Sequence, residues 1–209
     1  MLRVLRLLTG WALLVLGGWL AYGQIQSLPS SYKPWEPLNP SIPPGWFTEY
    51  KLNRFKDNPA ACQDFLQRAD VSFTYQGDET VGECELPQQT ILQQSEYPYS
   101  GTVKATCPLV AALVLWERHV LHPAEIHLSQ PINRVEHFGI FSCRNIRGST
   151  RRSQHASANA IDIGGFRLQN GTVISVRQHW QSDQYGAFLN AIHSQSCGLF
   201  KSVLGPEYN

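Results

Sequence analysis

The chain has 209 residues, 43% of them hydrophobic and 16% charged. That composition excludes an intrinsically disordered polyampholyte and allows one domain of ordinary size with tails. Seventeen Lys and Arg face sixteen Asp and Glu, a net charge of +1, so no basic stripe is available to a phosphate backbone and no nucleic-acid partner is expected. Thirteen Pro, sixteen Gly, six Trp and a single Met describe a turn-rich fold with aromatic anchors, not a coiled coil or plain helical bundle.

The chain opens on Arg3 and Arg6, followed by an apolar run from Leu7 to Tyr22. Positive charge ahead of such a run predicts a cytoplasmic N-terminus and an exported remainder. The run is short of the ~20 residues a membrane span usually needs, although Leu2–Leu5 and the residues up to Leu28 lengthen it. Residues 1–23 are therefore read in two ways. They form either a single-pass inner-membrane anchor or a cleaved signal peptide with Ala21 and Gly23 as the small residues near the cut. Either places the rest in the periplasm.

Residues 24–50 hold Pro29, Pro34, Pro37, Pro40, Pro43 and Pro44 with no helical or alternating period, which predicts an extended, semi-rigid linker. Trp35, Trp46 and Phe47 are the residues that would pack this segment onto a domain instead. The domain itself is expected over 51–209. Asn58-Pro59 reads as a helix start, a capping side chain before Pro at the first helical position. Cys62, Phe65, Leu66 and Ala69 then give the helix one apolar face. Val71 to Leu86 alternates loosely, as a hairpin does. Cys107 to Leu121 is apolar nearly all round, the signature of a buried central helix.

Between Ala124 and Arg144 the pattern turns to strands through Ile126, Leu128, Ile132, Val135, Phe138, Ile140 and Phe141. Asn170-Gly171 is the strongest short hairpin signal and joins Ala160–Leu168 to Thr172–Val176. Asp183 is the expected cap of a last helix that stops at Gly198. The fold class predicted is α+β: an antiparallel sheet, a buried central helix, flanking helices and one N-terminal hydrophobic helix.

Five cysteines, none spaced C-x-x-C, exclude a zinc ribbon or thioredoxin-type pair. Behind a hydrophobic N-terminus they read as disulfides made in an oxidising compartment. Cys62–Cys84 would staple helix to hairpin, for ~3 kcal/mol in the chain-entropy model. Cys143–Cys197 would tie the strand before the motif below to the last helix, leaving Cys107 unpaired.

The chemistry-bearing string is Ser153-Gln154-His155-Ala156-Ser157-Ala158-Asn159-Ala160-Ile161-Asp162. A His and an Asp seven apart do not share a helical face neatly. They converge if the His sits on a loop and the Asp on the strand that follows, and the small residues between them let the chain turn tightly. Ile161 and Ile163 then face the core and Asp162 faces away. An imidazole and a carboxylate are two of the three protein ligands of an open zinc site; a plain hydrogen bond between the two is the other reading. Elsewhere, His119-x-x-His122 and His127 flank the central helix, and His137 lies near the motif's strand as a cleft-lining candidate. His179 and His193 read as structural. Asn170-Gly171-Thr172 matches a glycosylation acceptor pattern inside its predicted turn.

The set Cys107-Pro108-Leu109 with Trp116, Phe141-Ser142-Cys143-Arg144, Ser153-x-His155-Ala156, Asn159-Ala160-x-Asp162-Ile163, Gly165-Phe166, Cys197-x-x-Phe200 and Leu204-Gly205-Pro206 resembles the bacterial extensin-like C-terminal domain family. The Ser-x-His to Ala-x-Asp string is also similar to the zinc DD-carboxypeptidase, D-Ala-D-Ala dipeptidase and hedgehog-type superfamily. That resemblance implies a DD-peptidase-like fold, His155 and Asp162 as Zn2+ ligands, and Arg144 as the arginine that steadies the tetrahedral intermediate. Those peptidases carry Gly where this chain has Ala158, which costs backbone freedom.

Both families continue past the Gly-Pro segment into a His-rich stretch holding the third ligand, whereas this chain stops at Asn209. In the extensin-like family a further Cys lies there too, matching the odd count. The implied function is zinc-dependent hydrolysis of peptidoglycan peptides at the cell wall, with the membrane engaged through the N-terminal helix. The rival is a non-catalytic wall-binding module with an incomplete metal site.

Overall fold

A computed structural model describes residues 2–208. Helix α1 runs over Leu2–Ser27, past the predicted end of the apolar segment. Its stretch Leu8–Ser27 is long and apolar enough to cross a membrane, and none of that window is buried against the protein. Lys33 donates to the Gln26 carbonyl at 2.9 Å and pairs with Glu36 at 3.0 Å, which fixes the chain just beyond α1.

The Pro-rich segment differs from the free spacer its composition predicts. Ser31, Lys33 and Leu38 are buried, and the segment is tied down by Arg68 donating to the Leu38 carbonyl and His119 lying 3.0 Å from the Pro40 carbonyl. Of its aromatics, Trp35 and Trp46 are exposed and Phe47 is half-buried. Prolines spare the wrapped backbone some unmet N–H donors, so an irregular path across a surface costs less than it would for other residues. The wrap ends in α2 (Thr48–Arg54), whose Lys51 is buried and donates to the Ser30 carbonyl; burial lowers its ammonium below the usual lysine range.

Helix α3 (Pro59–Arg68) begins where the sequence predicts, with Asn58 Oδ1 accepting from Ala61 N at 3.1 Å. It packs on α4 (Cys107–Trp116), every residue of which is buried. Strands β1 (Ser72–Val81), β2 (Cys84–Gln94) and β3 (Val103–Thr106) form one antiparallel sheet in that order. Strands β4 (Ile132–Gly139), β5 (Asp162–Leu168) and β6 (Val173–Ser175) form a second, with Val135 opposite Phe166. The domain is therefore α+β as predicted, with two small antiparallel sheets where one was expected. Phe166 joins the second sheet to the helices, its ring 6.3 Å from Trp116 and 5.1 Å from Phe188 of the last helix, Gly186–Ser196.

Three local readings change. After α4 the chain stays helical through a π turn at Glu117–Leu121 and short turns to His127, so the strand starts only at Ile132. Ile126, read as a strand residue, is exposed, and Glu125 Oε1 instead receives the Ile132 N–H at 2.7 Å and holds the strand's start. At the last helix it is Ser182, not Asp183, that receives a backbone N–H, from Tyr185. The predicted disulfides are replaced. Cys62 bonds Cys107, joining the buried faces of α3 and α4, and Cys84 bonds Cys143. Cys197 is free and exposed. The expected Cys62–Cys84 bond stapled the helix to the hairpin, whereas the helix carrying Cys62 turns that face toward α4.

Candidate metal-binding pair

The segment between β4 and β5 is a two-stranded arm followed by one tight turn. Ser142 N donates to the His155 carbonyl and Ser153 N to the Arg144 carbonyl, at 3.0 and 3.1 Å. Further out, Asn145 bridges Arg152 and Ile146 N donates to Arg151 O at 2.9 Å. The Cys84–Cys143 bond and an exposed Arg152–Glu83 pair fasten this arm to the first sheet.

Ser153 then caps the turn Gln154–Ser157, its Oγ accepting from His155 N, and Ala158 closes it in the left-handed region at φ 53°. A Cβ in that region costs ~1–2 kcal/mol of backbone energy. Ala158 is nonetheless buried, and its carbonyl accepts from Thr106 N at the head of α4, which holds the turn against the core.

The turn brings His155 and Asp162 together. His155 Nε2 lies 3.3 Å from Asp162 Oδ1, with the His side chain 14% exposed and the Asp 58%. On the other side of the ring, Nδ1 is 2.8 Å from the Ile140 carbonyl. A carbonyl only accepts, so Nδ1 carries a proton and, in the neutral ring, Nε2 presents a lone pair. That lone pair faces a carboxylate oxygen, acceptor against acceptor. A proton on Nε2 or a cation between the two satisfies both. A backbone carbonyl that fixes the tautomer and ring orientation is also the usual support of a metal-ligating histidine.

Arg144 lies on the arm with its side chain exposed, and its backbone is registered to Ser153 two residues before His155. Among the described residues its guanidinium makes no hydrogen bond or ion pair, so the arm positions it without docking it on the pair. No group of three His, Cys, Asp or Glu side chains converges among the described residues.

Four of the other histidines are separately engaged, and His127 is exposed. His119 faces Pro40, His122 pairs with Glu96 at 3.0 Å, His179 Nδ1 accepts from Ser175 N, and His193 sits edge-on to Trp180. His137 does not open into a cleft. Both ring nitrogens are buried without a partner, with the Tyr99 ring 6.1 Å away.

One residue the sequence reading passed over is Glu117, 1% exposed at the start of the π turn. Its Oε1 accepts from Tyr99 OH at 2.7 Å and Ser95 Oγ at 2.9 Å, and its Oε2 from Glu96 N at 3.1 Å. It pins the segment before β3, which itself bonds along β4 through Val135 and His137. Burial pushes this carboxyl up to about 7 despite the three donors. The signal was present: Glu117 is the one acid in the Cys107–Leu121 run, and an acid that a central helix buries needs hydrogen-bond partners.

Searches among curated proteins and among solved structures return no match to the chain. A family model described as extensin-like protein C-terminus matches residues 60–209, which takes in α3 from its second residue, both sheets, both disulfides and the His155–Asp162 turn. By that match the chain belongs to the extensin-like C-terminal domain family.

Proposed function

We propose that the domain is held at, or exported across, the inner membrane by α1 and works in the periplasm on peptidoglycan peptides, with His155 and Asp162 as ligands of a zinc ion used in amide hydrolysis. The observation that carries this is the placement of the His155 ring, its Nδ1 held 2.8 Å from the Ile140 carbonyl and its Nε2 3.3 Å from Asp162 Oδ1. An imidazole nitrogen and a carboxylate oxygen suit zinc. They make two ligands, and the resemblance puts the third beyond Leu204-Gly205-Pro206. Bound there, zinc would supply Lewis acidity toward an amide carbonyl.

The chain's own residues supply the rest. Ile140 sets the imidazole's tautomer, Ser153 and Ala158 hold the turn, and Arg144 offers a guanidinium to a substrate carboxylate or a developing oxyanion. Export is supported by Arg3 and Arg6 ahead of the apolar run, and by two disulfides in a chain with one free thiol.

A second reading, a wall-binding module without catalysis, draws on the lack of a three-group cluster among the described residues, since two protein ligands alone hold zinc weakly. The two readings separate on a stem peptide ending in D-Ala-D-Ala. The chain extended through the family's His-containing segment is expected to release D-Ala, and its Arg144→Ala variant to keep its zinc while losing rate. An extended, zinc-loaded chain that binds the peptide and leaves it intact would overturn hydrolysis in favour of the module.

A further inference from the structure

The apolar window of α1, Leu8–Ser27, has 20 residues. At the rise of a helix that is about 30 Å, the thickness of a bilayer's hydrocarbon core. As a span it ends at Ser27, where the headgroup layer begins; that layer takes up roughly 5–8 Å on each side.

The chain does not leave the end of α1 as a free tether. A short turn, Ser30–Tyr32, follows almost at once, and Lys33 Nζ reaches back to the Gln26 carbonyl at 2.9 Å. Residues 45–47 return to the same joint. Phe47 N donates to the Ser31 carbonyl at 3.2 Å, and Gly45 lies so close that a Cβ on it would meet Ser31 Oγ at 2.8 Å. Ser31 is 2% exposed there. The domain is therefore packed onto the end of α1.

Three aromatic side chains stand out from this joint. Trp46 is 86% exposed, Trp35 65% and Tyr32 37%, and the Tyr32 and Trp46 rings meet edge to face at 5.7 Å. Exposed apolar surface of this kind marks a contact with protein or membrane. Two observations favour the membrane. The patch is continuous with the exposed apolar surface of α1 through Leu28, itself 45% exposed. From Gln24 to Thr48 the only charged residues are Lys33 and Glu36, and they pair with each other at 3.0 Å. No unpaired charge opposes entry, and Trp and Tyr suit a layer where one end of the ring is apolar and the other wet.

We infer that Tyr32, Trp35 and Trp46 lie in the headgroup layer of the bilayer that α1 crosses, so that the domain sits directly on the periplasmic face of the membrane. The ring bodies rest against the upper acyl chains, and the indole N–H and phenol groups meet phosphate and ester oxygens. The inference rests on the anchor reading of α1 and is independent of the metal.

The test is NMR of the full chain in phosphatidylcholine nanodiscs, reading its six tryptophan indole N–H signals with and without a lipid that carries a nitroxide at the top of its acyl chain. Trp11 and Trp19 report on α1, while Trp116, 3% exposed, and Trp180, packed on His193, are references inside the fold. Trp35 and Trp46 are expected to lose most of their intensity together with Trp11 and Trp19, and the two references to keep most of theirs. Trp35 and Trp46 as intense as the references, with Trp11 and Trp19 erased, overturns the inference and leaves the anchor standing. If a water-soluble gadolinium chelate then also fails to broaden Trp35 and Trp46, their cover is a second copy of the chain and not lipid. Intact Trp11 and Trp19 signals, or a membrane-extracted chain whose N-terminus lies beyond Gly23, would sink the anchor reading and this inference with it.

Discussion

Glu117 makes the stability of the domain depend on pH in a direction opposite to the usual carboxylate. Its carboxyl sits near 4.5 when exposed and is pushed to about 7 in the fold, chiefly by desolvation, with Glu96's charge adding and the Tyr99, Ser95 and Glu96 N–H donors opposing. Between those two values the folded chain holds one more proton at this site than the unfolded chain does. The stabilisation is therefore complete below about pH 4.5 and is lost as pH rises through about 7. At ~1.4 kcal/mol per unit, the loss is about 3 kcal/mol.

For a chain of this size that is roughly 6–12 °C in Tm. Glu117→Gln carries no titrating proton, so its curve lacks this slope. Unfolding of the two chains in detergent micelles, followed by circular dichroism from pH 4.5 to 8, isolates the contribution because other groups cancel in the difference. The wild type is expected to lose about 3 kcal/mol relative to Glu117→Gln across that range. Parallel curves would refute the assignment of a proton to this site.

Peptide mapping under non-reducing conditions is expected to find Cys62–Cys107 and Cys84–Cys143, with Cys197 labelled by a maleimide; a bonded Cys197 in the monomer would contradict it. Removing either bond as a double Cys→Ala change opens a loop of 45 or 59 residues and is expected to cost about 4 kcal/mol, read by urea unfolding. Asn58→Ala removes the cap of α3 and is expected to cost ~1 kcal/mol in the same assay; no change would mean the cap is not used. A reporter fused after Asn209 is expected to be active only in its exported form, and cytoplasmic activity would contradict the predicted orientation.

What the sequence carried plainly was local. Asn58-Pro59 announced its helix, Asn170-Gly171 its turn, and the run after Cys107 its burial, because capping, positive φ and all-round apolarity are decided within a few residues. The approach of His155 and Asp162 was also legible, since a string of small residues leading into a strand leaves few paths. What failed was decided at distance. Cys62 faces α4 because of how two helices pack, and the spacing of residues along one helix does not show that. The Pro-rich segment lies on the domain because Lys33 and Leu38 find burial there, a fact of the surface they meet. Ile126 looked like a strand residue by alternation, but the helix leaving α4 carries on through it.

The central claim is that His155 and Asp162 form a metal-binding pair. Its most direct measurement is zinc affinity, by titration of the chain beside its His155→Ala and Asp162→Ala variants. The account predicts saturable binding of one zinc by the parent, markedly weaker binding by either variant, and unchanged folding by circular dichroism. Equal zinc affinity in His155→Ala and in the parent would contradict it.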